Sequence, residues 1–136
     1  MKHIADTGLI VALLRRRDTH HSWALAQFRE YAPFLVCDAV LVEVASFFPD
    51  PLAVLKLVDR GDLLIDPDFL LARELSLVMA LSEKYADSPM DLADACVVRM
   101  TELHSRCKVW TVDRADFETY RRNGRHPVPC EYPPTD

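Results

Sequence analysis

The sequence lacks features that mark several common classes of protein. Its 136 residues contain no apolar run near the roughly 18 residues that a membrane-spanning helix needs. The N-terminus does not have the form of a signal peptide, because Asp6 interrupts the apolar stretch and no small-residue cleavage site follows. No Gly-rich phosphate loop, Ser–His–Asp arrangement or catalytic Cys–His pairing is discernible. We therefore expect a single globular domain without a membrane segment and without these types of chemistry.

Cysteines are few, and their spacing does not indicate a zinc site. The four are Cys37, Cys96, Cys107 and Cys130. They lack closely spaced pairs, and three of them lie in or beside apolar segments. Reduced thiols are the simplest interpretation, so we expect a cytoplasmic protein.

An excess of positive charge is also missing, since the net charge is −5. The chain has 21 acidic and 16 basic residues. Without the four acids described below, 17 acidic residues remain, which nearly balance the 16 basic ones. A nearly neutral body with local basic patches can still bind a phosphate backbone. Two patches are present: Arg15, Arg16 and Arg17 with His20 and His21, and Arg121, Arg122, Arg125 and His126. A solvated surface is the alternative for each, so the charge alone excludes no partner.

Predicted strands and helices alternate along the chain. Short buried strands are expected at residues 2–5, 34–37, 63–65 and 108–112. Helices are expected at about 7–14, 23–31, 38–47, 51–58, 67–85 and 89–104, with Asp38 and Ser88 as N-caps. This alternation predicts an α/β fold with a mostly parallel central sheet. We place the domain at residues 1–126, followed by a Pro-rich tail at 127–136.

Four acidic residues stand in apolar surroundings that normally exclude charge. Asp6 follows the first predicted strand, and Asp113 follows the strand that ends at Val112. Glu43 and Asp94 lie in apolar helical segments, on the faces expected to pack on the sheet. Burying an ion without a partner costs several kcal/mol, so four acids of one sign require a common counter-charge.

The predicted sheet brings these acids to one place. Ligands of parallel α/β sheets bind beyond the carboxyl ends of the strands, where both Asp6 and Asp113 are expected. Without a cation the carboxylates would repel one another and their pKa values would rise. Oxygen-only anionic ligands suit Mg²⁺ or Mn²⁺, and such an ion can activate water against a phosphodiester. Metal-dependent phosphodiester hydrolysis is therefore the favoured chemistry.

The order and spacing of these motifs resemble the PIN-domain ribonucleases, and especially the VapC-type toxins of toxin–antitoxin pairs. The resemblance runs from Met1 to about Tyr120 and rests on Asp6-Thr7, Glu43 amid small and apolar residues, Asp91-Leu92-Ala93-Asp94-Ala95, and Thr111-Val112-Asp113-Arg114-Ala115-Asp116-Phe117. It implies a three-layer α/β/α sandwich and an Mg²⁺- or Mn²⁺-dependent endoribonuclease that leaves a 5′-phosphate. It also implies an RNA substrate, a small antitoxin protein that blocks the site, and a homodimer.

The resemblance assigns roles to individual residues. Asp6, Glu43, Asp94 and Asp113 match the acids that bind metal in the family. Thr7 matches a small hydroxyl residue that either bonds a ligand carboxylate or caps the first helix.

Three further assignments have alternatives of their own. Asp116 matches an acid that helps to hold metal-bound water, with capping of a short helix as the alternative. Asp91 either faces the site or completes a capping box with Ser88. Phosphates flanking the cleaved bond are expected at Arg114 or at the basic patch of Arg15, Arg16 and Arg17.

Three other readings compete with the nuclease. A haloacid-dehalogenase-like phosphatase also places an Asp after the first strand, but it needs a second Asp two residues later, where this chain has Gly8. Gly8 also differs from the family pattern, since many PIN-domain proteins carry a polar residue at this position. A catalytically silent RNA- or protein-binding module on the same fold is the second competitor. Structural ion pairs for the individual acids are the third.

Overall fold

The computed structural model of the chain describes residues 1–135, which form an α/β fold with helices on both sides of a central parallel sheet. The predicted three-layer α/β/α architecture is confirmed. The helices are α1 Thr7–Leu14, α2 His21–Tyr31, α3 Asp38–Ala45, α4 Leu52–Asp59, α5 Leu71–Lys84, α6 Leu92–Leu103 and α7 Arg114–Thr119. The strands are β1 Lys2–Ala5, β2 Phe34–Val36, β3 Leu63–Ile65, β4 Cys107–Trp110, β5 Arg121–Arg122, β6 His126–Pro127 and β7 Cys130–Glu131.

The central sheet has the strand order β3-β2-β1-β4-β7, and all of its neighbouring strands are parallel. Strand β1 is in the middle, where Ile4 pairs with Leu35 on one side and with Val109 on the other. Chain order reverses beside β1, so the carboxyl ends of β1 and β4 lie at the topological switch point of the sheet. This is the edge where the sequence places Asp6 and Asp113.

The core is built mainly from β-branched and aromatic side chains of the strands, packed against apolar helix faces. Phe34, Val36 and Val109 of the sheet are fully buried, and so are Leu9 and Ile10 of α1. Strand β2 is buried along its whole length, which explains its continuous apolar sequence Phe34-Leu35-Val36. The buried core thus fixes the positions of the strand ends.

Several helix boundaries differ from the sequence prediction. Helix α6 begins at Leu92 with Asp91 as its N-cap, so the predicted start at Ser88 with a capping box is wrong. Helix α5 begins at Leu71 rather than near residue 67. Asp38 is the first residue of α3, and Cys37 occupies the N-cap position. A favourable capping sequence therefore did not decide where these helices begin.

The Pro-rich segment after residue 126 is part of the fold. Strand β7 pairs with β4 through Val109–Cys130 and Trp110–Glu131, and β6 pairs with β5 in a small antiparallel ribbon. The segment 127–136, which the sequence analysis separates from the domain as a Pro-rich tail, is thus joined to the central sheet by backbone hydrogen bonds up to Glu131; Asp136 lies outside the described residues. Among residues 1–135, no helix is long and apolar enough to cross a membrane.

Candidate metal centre

A cavity of about 340 Å³ lies beyond the carboxyl ends of β1 and β4. It brings together all four acids that the sequence singled out and the three residues expected around them. The lining includes Asp6, Glu43, Asp94, Asp113, Thr7, Asp91 and Asp116. Seven residues from four separate segments thus meet in one place.

Strands β1 and β4 position Asp6 and Asp113 through a buried threonine between them. The Thr111 hydroxyl donates to Oδ2 of Asp6 at 2.7 Å, and the backbone N–H of Asp113 donates to the same hydroxyl oxygen at 3.0 Å. The backbone N–H of Asp6 also donates to the Trp110 carbonyl at 3.1 Å, which extends the strand pairing to the acid itself. Thr111 therefore connects the two strand ends, a role that the sequence analysis did not assign.

Helix α6 positions Asp94 in its first turn. The carboxylate of Asp91 caps this helix by accepting the backbone N–H of Asp94 at 2.8 Å. The hydroxyl of the fully buried Tyr120 donates to Oδ2 of Asp94 at 2.7 Å. Asp91 thus lines the cavity, which is one of its two predicted positions, and it caps the helix as the N-cap residue itself rather than in the predicted capping box with Ser88. Tyr120 was missed because its spacing indicated only core packing.

Asp94, Asp113 and Asp116 form the tightest acidic group in the cavity, since each offers an oxygen within 4.8 Å of the others. Asp113 is the N-cap of α7 and accepts the backbone N–H of Asp116 at 3.3 Å. The predicted capping role of Asp116 is therefore wrong, because Asp113 performs it. The carboxylate of Asp116 is left free to face the cavity, and it lies as close to Asp94 and Asp113 as any predicted ligand.

Glu43 completes the cavity from α3. Its neighbours Val40 and Val44 are fully buried, whereas Glu43 itself is half-buried at the cavity wall. Burial raises the pKa of Glu43, and repulsion from Asp91 and Asp113 adds to the rise. The apolar face of α3 thus brings a carboxylate to the cavity, as the sequence pattern predicts.

The electrostatics of the cavity are those of acids without a counter-charge. Burial raises the pKa of Asp6 to about 6, with further contributions from the charges of Glu43 and Asp113, while the Thr111 hydrogen bond opposes the rise. Burial likewise raises the pKa of Asp94 to about 7, against the opposing hydrogen bond from Tyr120. The pKa of Asp116 rises to about 6 for the same primary reason. Burial, together with repulsion between neighbouring carboxylates, thus raises the pKa values of these three acids.

No ion pair within 4.0 Å neutralises any of these acids among residues 1–135. The alternative of structural ion pairs for the four predicted acids is therefore not found in the described part of the chain. The Thr7 hydroxyl is buried at the cavity wall without a hydrogen-bond partner of normal geometry, although it lies near enough to Glu43 to oppose the rise in its pKa. A buried orphan hydroxyl among unpaired carboxylates is a donor set that fits a hard divalent cation.

Gly8 allows α1 to approach the segment after β4 closely. A Cβ atom at this position would lie 2.2 Å from Cγ2 of Val112. The two carbons would overlap, so any residue other than glycine would require a shift of Val112 or of the backbone. Val112 stands between Thr111 and Asp113, so this contact helps to set the distance between the two halves of the cavity. A side chain at position 8 would therefore require Val112 to move.

The first basic patch adjoins the cavity. Arg15 lines it, and Arg16 and Arg17 line a neighbouring concavity that shares Arg15 and Asp18. The Arg15 guanidinium donates to the Phe47 carbonyl at 2.7 Å and lies 5.2 Å from the centre of the Phe48 ring. Arg114 is exposed at the start of α7.

Two arginines of the second basic patch serve the fold instead. Arg121 donates to the backbone carbonyls of Glu118 and Tyr120 at 2.8 and 2.9 Å. Arg122 donates to the carbonyls of Thr101 and His104. Arg121 and Arg122 therefore use donors of their guanidinium groups within the fold, whereas Arg125 and His126 of the same patch are exposed.

The structure contains another group that offers ligand atoms for a metal ion, formed by Asp66, Asp68 and His104. Here the buried Asp66 accepts a hydrogen bond from Nε2 of His104 at 2.8 Å and another from the backbone N–H of Asp68 at 2.9 Å. No short motif predicts the pairing of Asp66 with His104, because the two residues lie 38 positions apart in the chain. Unlike the acids of the cavity, Asp66 has its partners within the protein.

Comparisons with known proteins leave the site to be interpreted on its own geometry. No family model matches the chain, and no curated protein matches it.

Proposed function

We propose that this protein is a Mg²⁺- or Mn²⁺-dependent endoribonuclease of the PIN-domain type, and a VapC-like toxin of a toxin–antitoxin pair. One observation carries the proposal: Asp6, Glu43, Asp94 and Asp113 line a single cavity, and no cation of residues 1–135 pairs with them. Carboxylate oxygens are the ligands that these two metals prefer, and both suit phosphodiester chemistry.

The residues of the cavity have distinct tasks in this proposal. Asp94, Asp113 and Asp116 would hold a divalent cation, with Asp6 and Glu43 contributing from the opposite segments of the chain. Thr111 and Tyr120 each donate to one oxygen of Asp6 and Asp94 at 2.7 Å, so the second oxygen of each acid would bind the cation. When bound, the metal would polarise a phosphoryl oxygen and lower the pKa of a water.

Substrate phosphates need positive charge near this acidic cavity. Arg15, Arg16 and Arg17 on one adjoining concavity and Arg114 at the start of α7 would supply it. Without such cations the carboxylates would repel a polyanion, so we expect binding to weaken as the salt concentration rises.

The proposed protein partners would use apolar surface that the fold leaves uncovered. Leu64 and Ile65 on the edge strand β3, and Leu75 and Met79 one turn apart on α5, are about half exposed. We propose that the exposed face of α5 with Leu75 and Met79 forms a homodimer in the cytoplasm and that a small antitoxin blocks the acidic cavity. Light scattering should then give twice the mass of the chain, and L75E should convert the dimer to a monomer.

The decisive test of activity is digestion of a cellular RNA pool by the purified protein with Mg²⁺ or Mn²⁺, with and without EDTA. We expect new RNA ends that carry a 5′-phosphate, a complete loss of cleavage in EDTA, and no cleavage by D6N. Mapping the new ends identifies the target at the same time.

Other outcomes would redirect the assignment. RNA that is bound but left uncut in both metals would favour the silent binding module. A phosphoryl group trapped on Asp6 would favour the phosphatase, although the contact of Gly8 with Val112 leaves no room for the second acid of that mechanism. EDTA-resistant cleavage would contradict the metal mechanism.

A further inference from the structure

A second concavity, which we call the tail subsite, adjoins the acidic cavity. Its volume is about 380 Å³, and its walls include His20, Val112, Arg114, Tyr132 and the Pro133-Pro134 pair. His20 and Val112 also line the acidic cavity, so the two spaces share a wall. A chain-like substrate that occupies one of them can therefore continue into the other.

The wall formed by the C-terminal segment is fixed in place. The backbone N–H of Thr111 donates to the Glu131 carbonyl at 3.2 Å, which extends the pairing of β7 with β4 up to this point. Tyr132 is half-buried and the following Pro133 is buried. Proline restricts the backbone at two consecutive positions, so the segment enters the subsite with little conformational freedom.

The tail subsite contains a guanidinium group packed on an aromatic ring. The guanidinium carbon of Arg114 lies 4.3 Å from the centre of the Tyr132 ring, within cation–π distance. Its only ion pair among residues 1–135 is a long one, 3.4 Å to the exposed Glu118, so most of its charge remains available. Guanidinium planes and aromatic rings are the surfaces on which unpaired nucleobases stack, and the guanidinium also binds phosphate.

We propose that the tail subsite holds a nucleotide of single-stranded RNA beside the acidic cavity, stacked on the exposed guanidinium of Arg114, which the Tyr132 ring supports from behind. This inference rests on the proposed nuclease function and adds to it a second contact region for the RNA, formed by named residues of this chain. Bases in a duplex are stacked and paired, so they cannot offer a face to this guanidinium. The subsite thus selects single strands, whereas the acids contact a phosphodiester common to all RNA.

Binding without cleavage tests the subsite separately from catalysis. In D6N protein with Mg²⁺, fluorescence anisotropy would measure the affinity for a short labelled single-stranded RNA of random sequence. We expect Y132A and R114A each to weaken binding roughly tenfold, the loss typical of one stacked base. Y132F should bind like the D6N parent, because it keeps the ring.

Two further variants separate stacking from charge. R114K keeps the positive charge but loses the plane, so we expect most of the loss that R114A shows. R73A is the matched control, because Arg73 is an exposed arginine on α5 away from both concavities. Thermal unfolding of each variant checks that the fold is intact.

Each outcome has a defined meaning. Unchanged affinity in Y132A, full affinity in R114K, or a duplex bound as tightly as the single strand would overturn the tail subsite while the nuclease proposal stands. Failure of the nuclease proposal has a different signature: the wild-type protein then leaves the RNA pool intact. An absence of any RNA binding by D6N would overturn the subsite as well.

Discussion

The acidic cavity and the Asp66–Asp68–His104 group both offer carboxylate oxygens, but they differ in what neutralises the buried charge. Asp66 is almost completely buried and is paired with His104 at 2.8 Å. Asp6 and Asp94 are nearly as buried, yet burial raises the pKa of each well above the ordinary value of 3.8. The partner of Asp66 is an imidazole that can carry a positive charge, whereas Asp6 and Asp94 accept hydrogen bonds only from the neutral hydroxyls of Thr111 and Tyr120. Buried acids that share a cavity without a cationic partner are candidates for a functional site.

The largest expected difference between the two regions is in activity. D6N or D94N should lower RNA cleavage roughly a thousandfold or more, because each removes a charge that metal binding needs. The same change in the other group, D66N, should leave cleavage near the wild-type rate. It should instead lower the free energy of unfolding by about 1–3 kcal/mol, since it weakens a buried hydrogen bond.

Rates of RNA cleavage and urea unfolding of the three variants provide this comparison. Loss of cleavage in D66N with retention in D94N would reverse the assignment of the two regions.

The next largest effect is expected in the pH dependence of thermal stability. Because the pKa values of Asp6 and Asp94 are raised to about 6 and 7, the folded protein binds protons more tightly than the unfolded chain. The stability of the metal-free protein should therefore fall as the pH rises from about 4 to 7. A cation binds the deprotonated acids, so its stabilising effect should grow over the same range.

At pH 8, Mn²⁺ at a hundred times its Kd should raise Tm by roughly 8 °C, and at pH 5 by far less. Differential scanning fluorimetry at both pH values measures the difference, with D94N as the control. An equal rise in Tm at pH 5 and pH 8 would contradict the role of these acids.

A packing change at Gly8 tests the geometry of the acidic cavity without altering any charge. G8A places a Cβ atom in the space held by Cγ2 of Val112, so we expect a loss of about 1–3 kcal/mol in unfolding free energy. The acids of the cavity should also be displaced, which weakens metal binding there. V112A in the G8A background should recover part of both losses, and a double-mutant cycle measures the coupling. Additive effects would show that the contact has no influence on the cavity.

The smallest expected effect is that of Y120F. The loss of its hydroxyl leaves Oδ2 of Asp94 without a donor, which raises the pKa of Asp94 further. We expect metal affinity to fall about tenfold, as for other residues that orient a ligand. The pH at which metal binding is half complete should also rise. A fall in affinity without this pH shift would mean that Tyr120 acts only through packing.

The sequence predicted the fold and the composition of the cavity because both follow from local patterns. Apolar strands followed by Asp6 and Asp113 place two acids at one edge of a parallel sheet, and helical spacing turns Glu43 and Asp94 inward. Asp116 and the Asp66–His104 pair show the limit of such patterns. Which acid caps α7, and which acid finds a histidine 38 residues away, depends on tertiary packing that no short motif encodes.

The central claim is that the acids of the cavity bind a divalent cation, and titration calorimetry of Mn²⁺ into the metal-free protein tests it most directly. The account predicts saturable binding at pH 8 that D94N abolishes and D66N leaves unchanged. Binding that survives in D94N and disappears in D66N would place the metal at His104 instead and contradict the account, as would an absence of binding to the wild-type protein.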